Sequence, residues 1–403
     1  MDKYRQQIPG LQQQIQGKPL VYFDWAATSQ MPQVVLDATL KAMTYRGNVG
    51  RGVHSISAKS TAQLERSRER IAAFIGAKTS DIILTTGTTE GLNLVACNVG
   101  SYLQKDDVVV LSLLEHHANW LPWQKVTQDS GVRLETLSLD QHGRVDVQAL
   151  ERLLQQHSVA VVVCSLVSNV LGTRQPMESI VALAKEYRVR VVVDAAQAVA
   201  HLPIDVHRLG VDALVFGGHK LFAPNGVGVL WVTPDWMVDW QPRLLGGGIV
   251  EEVSTTRHRL QPHPRRFEAG TLNVPSVVGL ARACQWIEDI GWEVIQQQER
   301  RLSSYLSVGL ANLSQVNLLC TQPDIPLFSI AVDGLHPHDI GTLLDLEGIV
   351  VRTGHHCAQP LHSSLLGEYE VSTRLSLSFL NTIDECDVFI EAIGTIIDTL
   401  GEW

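Results

Sequence analysis

Two apolar runs near the middle of the chain each end in a side chain that can do chemistry. VVVDAAQAV (191–199) carries Asp194, and VDALVFGGHKLFAPNGV (211–227) carries Lys220 directly after Gly-Gly-His. Such runs are typical of buried strands, and an open α/β sheet binds its ligands at the carboxyl ends of its strands. Desolvation there lowers the pKa of a lysine amine and makes it a usable nucleophile. The position of Lys220 therefore favours Schiff-base chemistry.

Pyridoxal phosphate requires such a lysine, an acid that pairs with its ring nitrogen, and a phosphate cradle. Lys220 and Asp194 supply the first two. GTTEG (87–91) stands between an apolar strand and a helical run, so amide N–H groups and hydroxyls of Thr88 and Thr89 meet the positive end of a helix dipole. The pattern predicts a phosphate cradle at these threonines. The alternatives are a solvated loop lysine, a strand-end acid and a Thr-capped helix without a ligand.

Two further segments carry groups for proton and sulfur chemistry. EHHANWLPW (115–123) places His116 and His117 after another apolar run, where one imidazole can stack on a planar ring and move protons. A surface pair of histidines is the alternative. VVRTGHHCAQPL (350–361) places Cys357 after two histidines and close to Arg352. Cationic neighbours lower the pKa of a thiol and a loop exposes it, so Cys357 is a candidate nucleophile, with an ordinary loop cysteine as the alternative.

Composition limits the classes of function. The 403 residues correspond to about two to three domains, and 45% hydrophobic against 18% charged residues favours a large core. A net charge of −10 without a basic run makes nucleic acid and anionic membranes poor partners. The six cysteines form no CxxC pair, so neither a metal site nor a disulfide framework is predicted. The N-terminus lacks an apolar signal region, and the sequence predicts a cytoplasmic protein.

Apolar strands alternate with amphipathic helices across most of the chain, which predicts a mainly parallel sheet covered on both faces. We predict an arm over residues 1–19 that packs with the small domain, and a large cofactor-binding domain over residues 20–288. A nearly continuous helical pattern then leads into a smaller α+β domain over residues 289–403, which carries the cysteine loop. The polar stretch between about residues 244 and 276 is predicted to be a functional loop.

Eight motifs of this chain resemble, in order and spacing, those of the group II cysteine desulfurases. The family, of the SufS/CsdA type, lies within the class V aminotransferase-like, fold type I pyridoxal phosphate enzymes. The motifs are DWAATSQMP, TTGTTEGLNLVA, EHHANWLPW, VSNVLG, VDAAQAV, GGHKLFAPNGVGVL, RRFEAGTLN and VRTGHHCAQPL. The resemblance runs from about residue 20 to the C-terminus, and RTGHHCAQP separates this group from its relatives.

The resemblance implies a role for each matching residue around the cofactor. Lys220 would bind pyridoxal phosphate covalently, His116 would stack on its ring, Asp194 would pair with the ring nitrogen, and Gln197 would bind the ring oxygen. The phosphate would be bound by Thr88, Thr89 and His219, and by Thr271 from the second subunit of a homodimer.

The resemblance also implies the substrate contacts and the reaction. Asn169 and Arg374, with Arg352 nearby, would hold the carboxylate of L-cysteine, and Cys357 would take its sulfur as a persulfide and leave L-alanine. An acceptor protein, SufE/CsdE-like or zinc-bearing and SufU-like, would then collect the sulfur for iron–sulfur clusters or another thio-compound. No metal is expected in the chain itself.

Four positions depart from the family pattern. Gly217 stands at a usual phosphate-binding serine, Trp25 at a small or polar residue, Gly50 at a usual histidine, and Leu272 at a usual proline. The alternatives to a desulfurase are a selenocysteine lyase, a cysteine sulfinate desulfinase or another pyridoxal-dependent lyase such as a kynureninase. A cofactor-poor binding partner in sulfur transfer is a further alternative, as is a nucleotide-binding Rossmann enzyme, for which no GxGxxG opens a helix.

Overall fold

Residues near the N-terminus contact the C-terminal part of the chain. The computed structural model describes residues 1–50, 52–367 and 370–400. Arg5 forms an ion pair with Glu385 at 2.6 Å, and the third strand pairs in parallel with residues 349–350. The elements are α1 (Asp2–Arg5), β1 (Gln14–Ile15), β2 (Lys18–Pro19), β3 (Val21–Tyr22), α2 (Gln33–Thr44) and α3 (Ser55–Phe74).

A seven-stranded sheet follows, in the order β4-β10-β9-β8-β7-β5-β6. Strands β9, β8, β7, β5 and β6 are parallel, and β10 is antiparallel to both of its neighbours. The mainly parallel α/β fold predicted from the sequence is therefore confirmed. The elements are β4 (Ile82–Thr85), α4 (Thr88–Gly100), β5 (Asp107–Ser112), α5 (His117–Ser130), β6 (Arg133–Leu137), α6 (Val147–Gln156), β7 (Ser158–Ser165), α7 (Met177–Glu186), β8 (Arg190–Asp194), α8 (Val206–Leu209), β9 (Ala213–Gly217), β10 (Gly228–Val232) and α9 (Pro234–Met237).

The valine runs form the central strands because both faces of this sheet are covered. In β5, Val108 and Val110 belong to one buried hydrophobic cluster, whereas Val109 and Leu111 belong to another on the opposite face. Successive side chains of a strand point to opposite faces, so a strand with helices on both sides must be apolar throughout. The polar groups of these strands are consequently confined to their ends.

Two differences from the sequence-based expectations lie between the sheets. The polar stretch predicted to be a loop contains a hairpin, β11 (Val250–Val253) and β12 (His258–Leu260). The nearly continuous helical pattern is divided into α10 (Val274–Ile290) and α11 (Trp292–Ala311). Gly291, at φ 91°, separates the two helices because it adopts a conformation that other residues rarely reach.

A smaller antiparallel sheet, in the order β13-β14-β17-β16, completes the fold with its own hydrophobic cluster. The predicted domain boundary after residue 288 falls inside α10 and remains a proposal. Within the described ranges, no helix has both the length and the apolarity needed to cross a membrane. The elements are β13 (Val316–Leu318), β14 (Leu327–Val332), α12 (Pro337–Leu346), β15 (Ile349–Val350), β16 (Arg352–Gly354), α13 (Gln359–Leu365), β17 (Ser372–Ser376) and α14 (Ile383–Leu400).

Candidate active site

A cavity of about 430 Å³ lies at the strand ends of the large sheet, against the small sheet. Side chains at or just after the ends of β4, β7, β8 and β9 meet side chains from β16 and β17 there. Neither Cys357 nor Thr271 is among its lining residues. The structure brings together ten residues predicted from the sequence: Thr88, Thr89, His116, Asn169, Asp194, Gln197, His219, Lys220, Arg352 and Arg374.

Lys220 and Asp194 come from neighbouring parallel strands. Asp194 ends β8 and is 5% exposed, while Lys220 follows β9 in a single turn of 3₁₀ helix. Burial lowers the pKa of Lys220 to about 8, against the opposing attraction of the Asp194 carboxylate. Burial also raises the pKa of Asp194, although its carboxylate accepts a hydrogen bond from the Ala196 N–H at 2.8 Å. The pair is thus an amine that loses its proton readily beside a buried acid.

His116 presents a neutral ring to the same cavity. Its Nδ1 accepts the N–H of Ala118 at 3.0 Å and caps α5, which assigns the proton of the neutral ring to Nε2. Burial, followed by the charge of Lys220, lowers the pKa of His116 to about 3. A neutral imidazole that donates from Nε2 suits stacking against a planar cofactor and hydrogen bonding to it.

Glu115 is a buried acid that the sequence-based reasoning did not assign. The residue is fully buried, and its carboxylate accepts hydrogen bonds from Ser112 Oγ, Asn119 Nδ2, and the N–H and Oγ of Ser165 at 2.5–2.8 Å. Burial raises its pKa to about 7, and the nearby Asp194 contributes to the rise. The only sequence feature that pointed to a role for Glu115 was its position directly before the histidine pair.

The start of α4 has the properties of an anion site. Its N-cap, Gly87, offers no side-chain hydrogen bond to the first turn, and Thr88 and Thr89 face the cavity. Free amide N–H groups and the helix dipole favour a phosphate at this end of a helix. His219, the third predicted phosphate ligand, lines the same cavity, and burial lowers the pKa of its imidazole to about 4.

Arg374 is 1% exposed and lies in β17, directly opposite Arg352 in β16. Its Nη2 donates to Asp24 Oδ1 at 3.0 Å, and its Nη1 donates to the carbonyl of Asn169 at 3.0 Å. Burial lowers the pKa of Arg374 to about 10, so the guanidinium is charged at neutral pH. The two anchors fix a cation at the cavity wall, where it can bind a carboxylate.

The segment between residues 24 and 29 forms hydrogen bonds with residues of both sheets or of the turns that follow their strands. The sequence did not predict this role. Asp24 binds Arg374 from the small sheet, and the carbonyl of Ala26 accepts the Gln197 side-chain amide at 2.9 Å. Ser29 Oγ donates to the carbonyl of His219 at 2.8 Å. The segment therefore contacts the predicted substrate anchor and the turn that carries Lys220.

Cys357 lies on a strained loop beside the cavity. Cys357 and His356 both have positive φ, 58° and 50°, which is uncommon for residues other than glycine. The Asn169 side chain donates to the His356 carbonyl at 2.7 Å, and the His117 N–H donates to the Cys357 carbonyl at 2.7 Å. Arg352, which lines the cavity, places its Nη2 3.5 Å from the half-buried Cys357 Sγ. The thiol loop and the amine thus share one site.

The cation that contacts the thiol is Arg352, and the histidine directly before the thiol, His356, is not a second one. Burial lowers the pKa of His356 well below its usual range. Its Nε2 lies 3.0 Å from Ser372 Oγ, which also lies 2.9 Å from His362 Nε2. His356 is therefore neutral at neutral pH. The sequence predicted that Arg352 and the two histidines could all supply positive charge near the thiol, and in the structure Arg352 does so.

Comparisons with known proteins agree with this geometry. The sequence matches the family Aminotransferase class-V over residues 21–389. It is 40% identical to a probable cysteine desulfurase of Mycolicibacterium paratuberculosis over 98% of this chain and 58% of that protein. It is 38% identical to a probable cysteine desulfurase of Vibrio cholerae over 99% of both chains. The structure of the cysteine desulfurase CsdA from Escherichia coli matches with a TM-score of 0.90 and 33% identity, over 99% of this chain and 98% of that one.

The chain belongs to the cysteine desulfurases of the class-V aminotransferase family. Members of this family depend on pyridoxal phosphate. The chain spans 58% of the Mycolicibacterium relative, and 65% and 63% of relatives from Mycobacterium leprae and Synechococcus elongatus.

The departure from the cysteine desulfurase pattern at Gly217 lies beside Thr88 and His219. A Cβ at this position would lie 3.0 Å from Thr88 Oγ1 and 3.4 Å from the His219 ring. A serine there would place its side chain beside these two predicted phosphate ligands, and Gly217 leaves that space open.

The other three departures are not among the residues that line the cavity, although Trp25 lines a small neighbouring pocket with Lys220 and Gln197. Trp25 is 4% exposed and packs against Tyr22 and Phe222, with ring centroids 5.2 and 5.7 Å away. Gly50 and Leu272 line a separate depression.

Proposed function

We propose that this protein is a pyridoxal phosphate-dependent cysteine desulfurase that converts L-cysteine to L-alanine and holds the sulfur as a persulfide on Cys357. The observation that carries the proposal is the meeting of the thiol loop and the buried amine at one cavity. Arg352 contacts the thiol and lines the same cavity as Lys220. A nucleophilic sulfur beside a cofactor lysine is the arrangement that sulfur abstraction requires.

The residues present fit the cofactor. Lys220 would attach it, Asp194 would pair with the ring nitrogen, and His116 would stack on the ring. Gln197 would bind the ring oxygen, and Thr271 of a second subunit would add a phosphate contact that this chain alone does not supply. The cofactor acts as an electron sink when bound. The remaining phosphate ligands would be Thr88, Thr89 and His219.

The chain's own groups orient the substrate and move its protons. Arg374, Asn169 and Arg352 would hold the carboxylate of L-cysteine and direct its sulfur toward the Cys357 loop. With a pKa of about 8, Lys220 has a neutral fraction near neutral pH that can accept the proton from Cα of the substrate and return it.

Sulfur transfer is a displacement at the substrate sulfur. The Cys357 thiolate forms a bond to that sulfur while the carbon–sulfur bond of the substrate breaks, and the electron pair of the broken bond stays with the carbon fragment. Proton return to that fragment yields alanine. Arg352 would stabilise the thiolate before the attack because its guanidinium lies against Sγ.

We also propose two protein partners, a sulfur acceptor and a second copy of this chain. The persulfide on a half-buried cysteine would pass to an acceptor protein, SufE/CsdE-like or SufU-like, that docks over the loop, and the enzyme would act as a homodimer. The cytoplasmic location stays a prediction from the sequence.

The test is alanine formation from L-cysteine, measured with and without a candidate acceptor, in the native protein and in Cys357→Ala. Cys97, which is exposed and remote in sequence from the loop, provides the matched control Cys97→Ala. We expect Cys357→Ala to lose turnover and Cys97→Ala to retain it. Unchanged turnover in Cys357→Ala would refute the role of the thiol. Activity of that variant on selenocysteine or cysteine sulfinate alone would favour the alternative lyases.

A further inference from the structure

The conformation of the Cys357 loop is not explained by the small sheet that carries it. Residues other than glycine are held in the left-handed region only where surrounding contacts fix them, and two stand there in succession, His356 and Cys357. The loop must therefore obtain part of its geometry from another element.

His117 supplies two such contacts, one to the thiol residue itself and one to the residue two positions after it. Its backbone N–H donates to the carbonyl of Cys357 at 2.7 Å. Its side-chain Nε2 accepts the N–H of Gln359 at 3.3 Å. Because His117 opens α5 directly after His116, these contacts connect the thiol loop to the residue proposed to stack on the cofactor.

The side-chain contact also caps a helix. Gln359 is the first residue of α13, whose N-cap, Ala358, has no side-chain acceptor. The first amides of a helix lack partners within it, so the imidazole of His117 satisfies one of them across the boundary between the sheets. Only a ring with an unprotonated Nε2 can accept this hydrogen bond.

We propose that His117 is a positioning residue that clamps the Cys357 loop over the cavity, and that protonation of its imidazole releases the clamp. The effect of the clamp, which is to place the sulfur nucleophile correctly, rests on the proposed function. The contacts themselves do not depend on the reaction.

The electrostatic surroundings favour the clamped state at neutral pH. Among the described residues, the titratable groups that face His117 are His116, whose ring centroid lies 6.3 Å away, and His355 and Cys357 of the thiol loop. Burial lowers the pKa of His117, and the neighbouring His355 lowers it further. Protonation is therefore displaced to pH values below the ordinary range of histidine, and the clamp loosens as the pH falls through that lowered value.

Hydrogen exchange of the Gln359 amide in the cofactor-loaded protein tests the clamp without measuring activity. His117→Leu removes the acceptor, whereas His117→Gln retains an acceptor that does not titrate. We expect His117→Leu to exchange roughly fivefold faster at neutral pH, the factor for one hydrogen bond of about 1 kcal/mol. After correction for intrinsic rates, acid should accelerate exchange in the native protein and not in His117→Gln.

Turnover then distinguishes positioning from a purely structural effect. His117→Leu should lower kcat for cysteine and leave KM unchanged, and His117→Gln should restore kcat. Native exchange in His117→Leu, or the same pH response in the native protein and His117→Gln, would overturn the clamp. If the native protein does not act on cysteine, the proposed function fails while the exchange result still decides the clamp.

Discussion

The Lys220 side of the cavity and the Cys357 side are built in different ways. Lys220 and Asp194 take their positions from adjacent parallel strands in regular register, within a sheet buried on both faces. Cys357 sits in a left-handed turn whose carbonyls accept hydrogen bonds from Asn169, which follows β7, and from His117 at the start of α5. One side is fixed by its own secondary structure and the other by contacts across the cavity. Changes on the first side should affect the cofactor, and changes on the second should affect only sulfur transfer.

The largest effect is expected for Lys220→Ala. The variant should lose the visible absorption of a covalently bound cofactor, and turnover should fall by roughly three to four orders of magnitude. Alkylation of Cys357 should continue at the native rate, because the loop is held by Asn169 and His117 and not by the lysine. Absorption spectra and mass spectrometry measure the two effects. A parallel loss of Cys357 alkylation would show that the two sides are one unit.

Arg374→Lys should affect substrate binding while leaving the cofactor side intact. A lysine keeps the charge but cannot reach Asp24 and the Asn169 carbonyl with the fixed geometry of a guanidinium. We expect KM for L-cysteine to rise by roughly ten- to a hundredfold, in line with the loss of about 1.5–3 kcal/mol for a charged hydrogen-bond contact. Steady-state kinetics and the cofactor spectrum are the measurements. A changed spectrum at unchanged KM would contradict the assignment of Arg374 to the substrate.

The pH dependence of covalent cofactor attachment tests the lowered pKa of Lys220 separately from the rest of the site. Only the neutral amine attacks an aldehyde, and burial has lowered the pKa of Lys220 to about 8. The neutral fraction falls as the pH drops, so the rate at which added pyridoxal phosphate binds covalently to cofactor-free protein should decrease about tenfold for each pH unit below 8. Above that value the rate should level off. A rate that keeps rising toward the ordinary lysine range would show that the amine is not desolvated.

Gly217→Ser should give the smallest effect and restrict it to the cofactor side. The added hydroxyl would join the phosphate cradle, although its Cβ would crowd Thr88 Oγ1 at 3.0 Å. We expect the cofactor dissociation constant to fall by roughly three- to tenfold, less than a full charged hydrogen bond would give. Gly217→Ala, which adds the Cβ without the hydroxyl, is the control and should weaken binding. Equal cofactor affinities in both variants would show that the serine hydroxyl does not contribute to phosphate binding.

The same division explains what the sequence could predict. Asp194, Lys220 and His116 follow apolar runs, and the ends of such strands meet at one edge of a sheet, so their proximity follows from local pattern. The contacts of Asp24 with Arg374 and of His117 with Gln359 join residues far apart in the chain, and no local pattern encodes them.

Misassigned elements have equally local causes. The helical pattern continues through Gly291 because one glycine does not interrupt apolar periodicity, yet its positive φ separates α10 from α11. The His-His-Cys sequence suggested cationic histidines beside the thiol. Burial of His356, which no pattern of charges reveals, makes that ring neutral, whereas the guanidinium of Arg352 lies 3.5 Å from the thiol.

The most direct test of sulfur transfer to Cys357 is a single turnover with L-cysteine that carries an isotopic sulfur label, followed by mass spectrometry of every cysteine-containing peptide. We predict one labelled sulfur on the Cys357 peptide for each alanine released, and no label on Cys97. Alanine formed without label on Cys357, or label on another cysteine, would contradict this prediction.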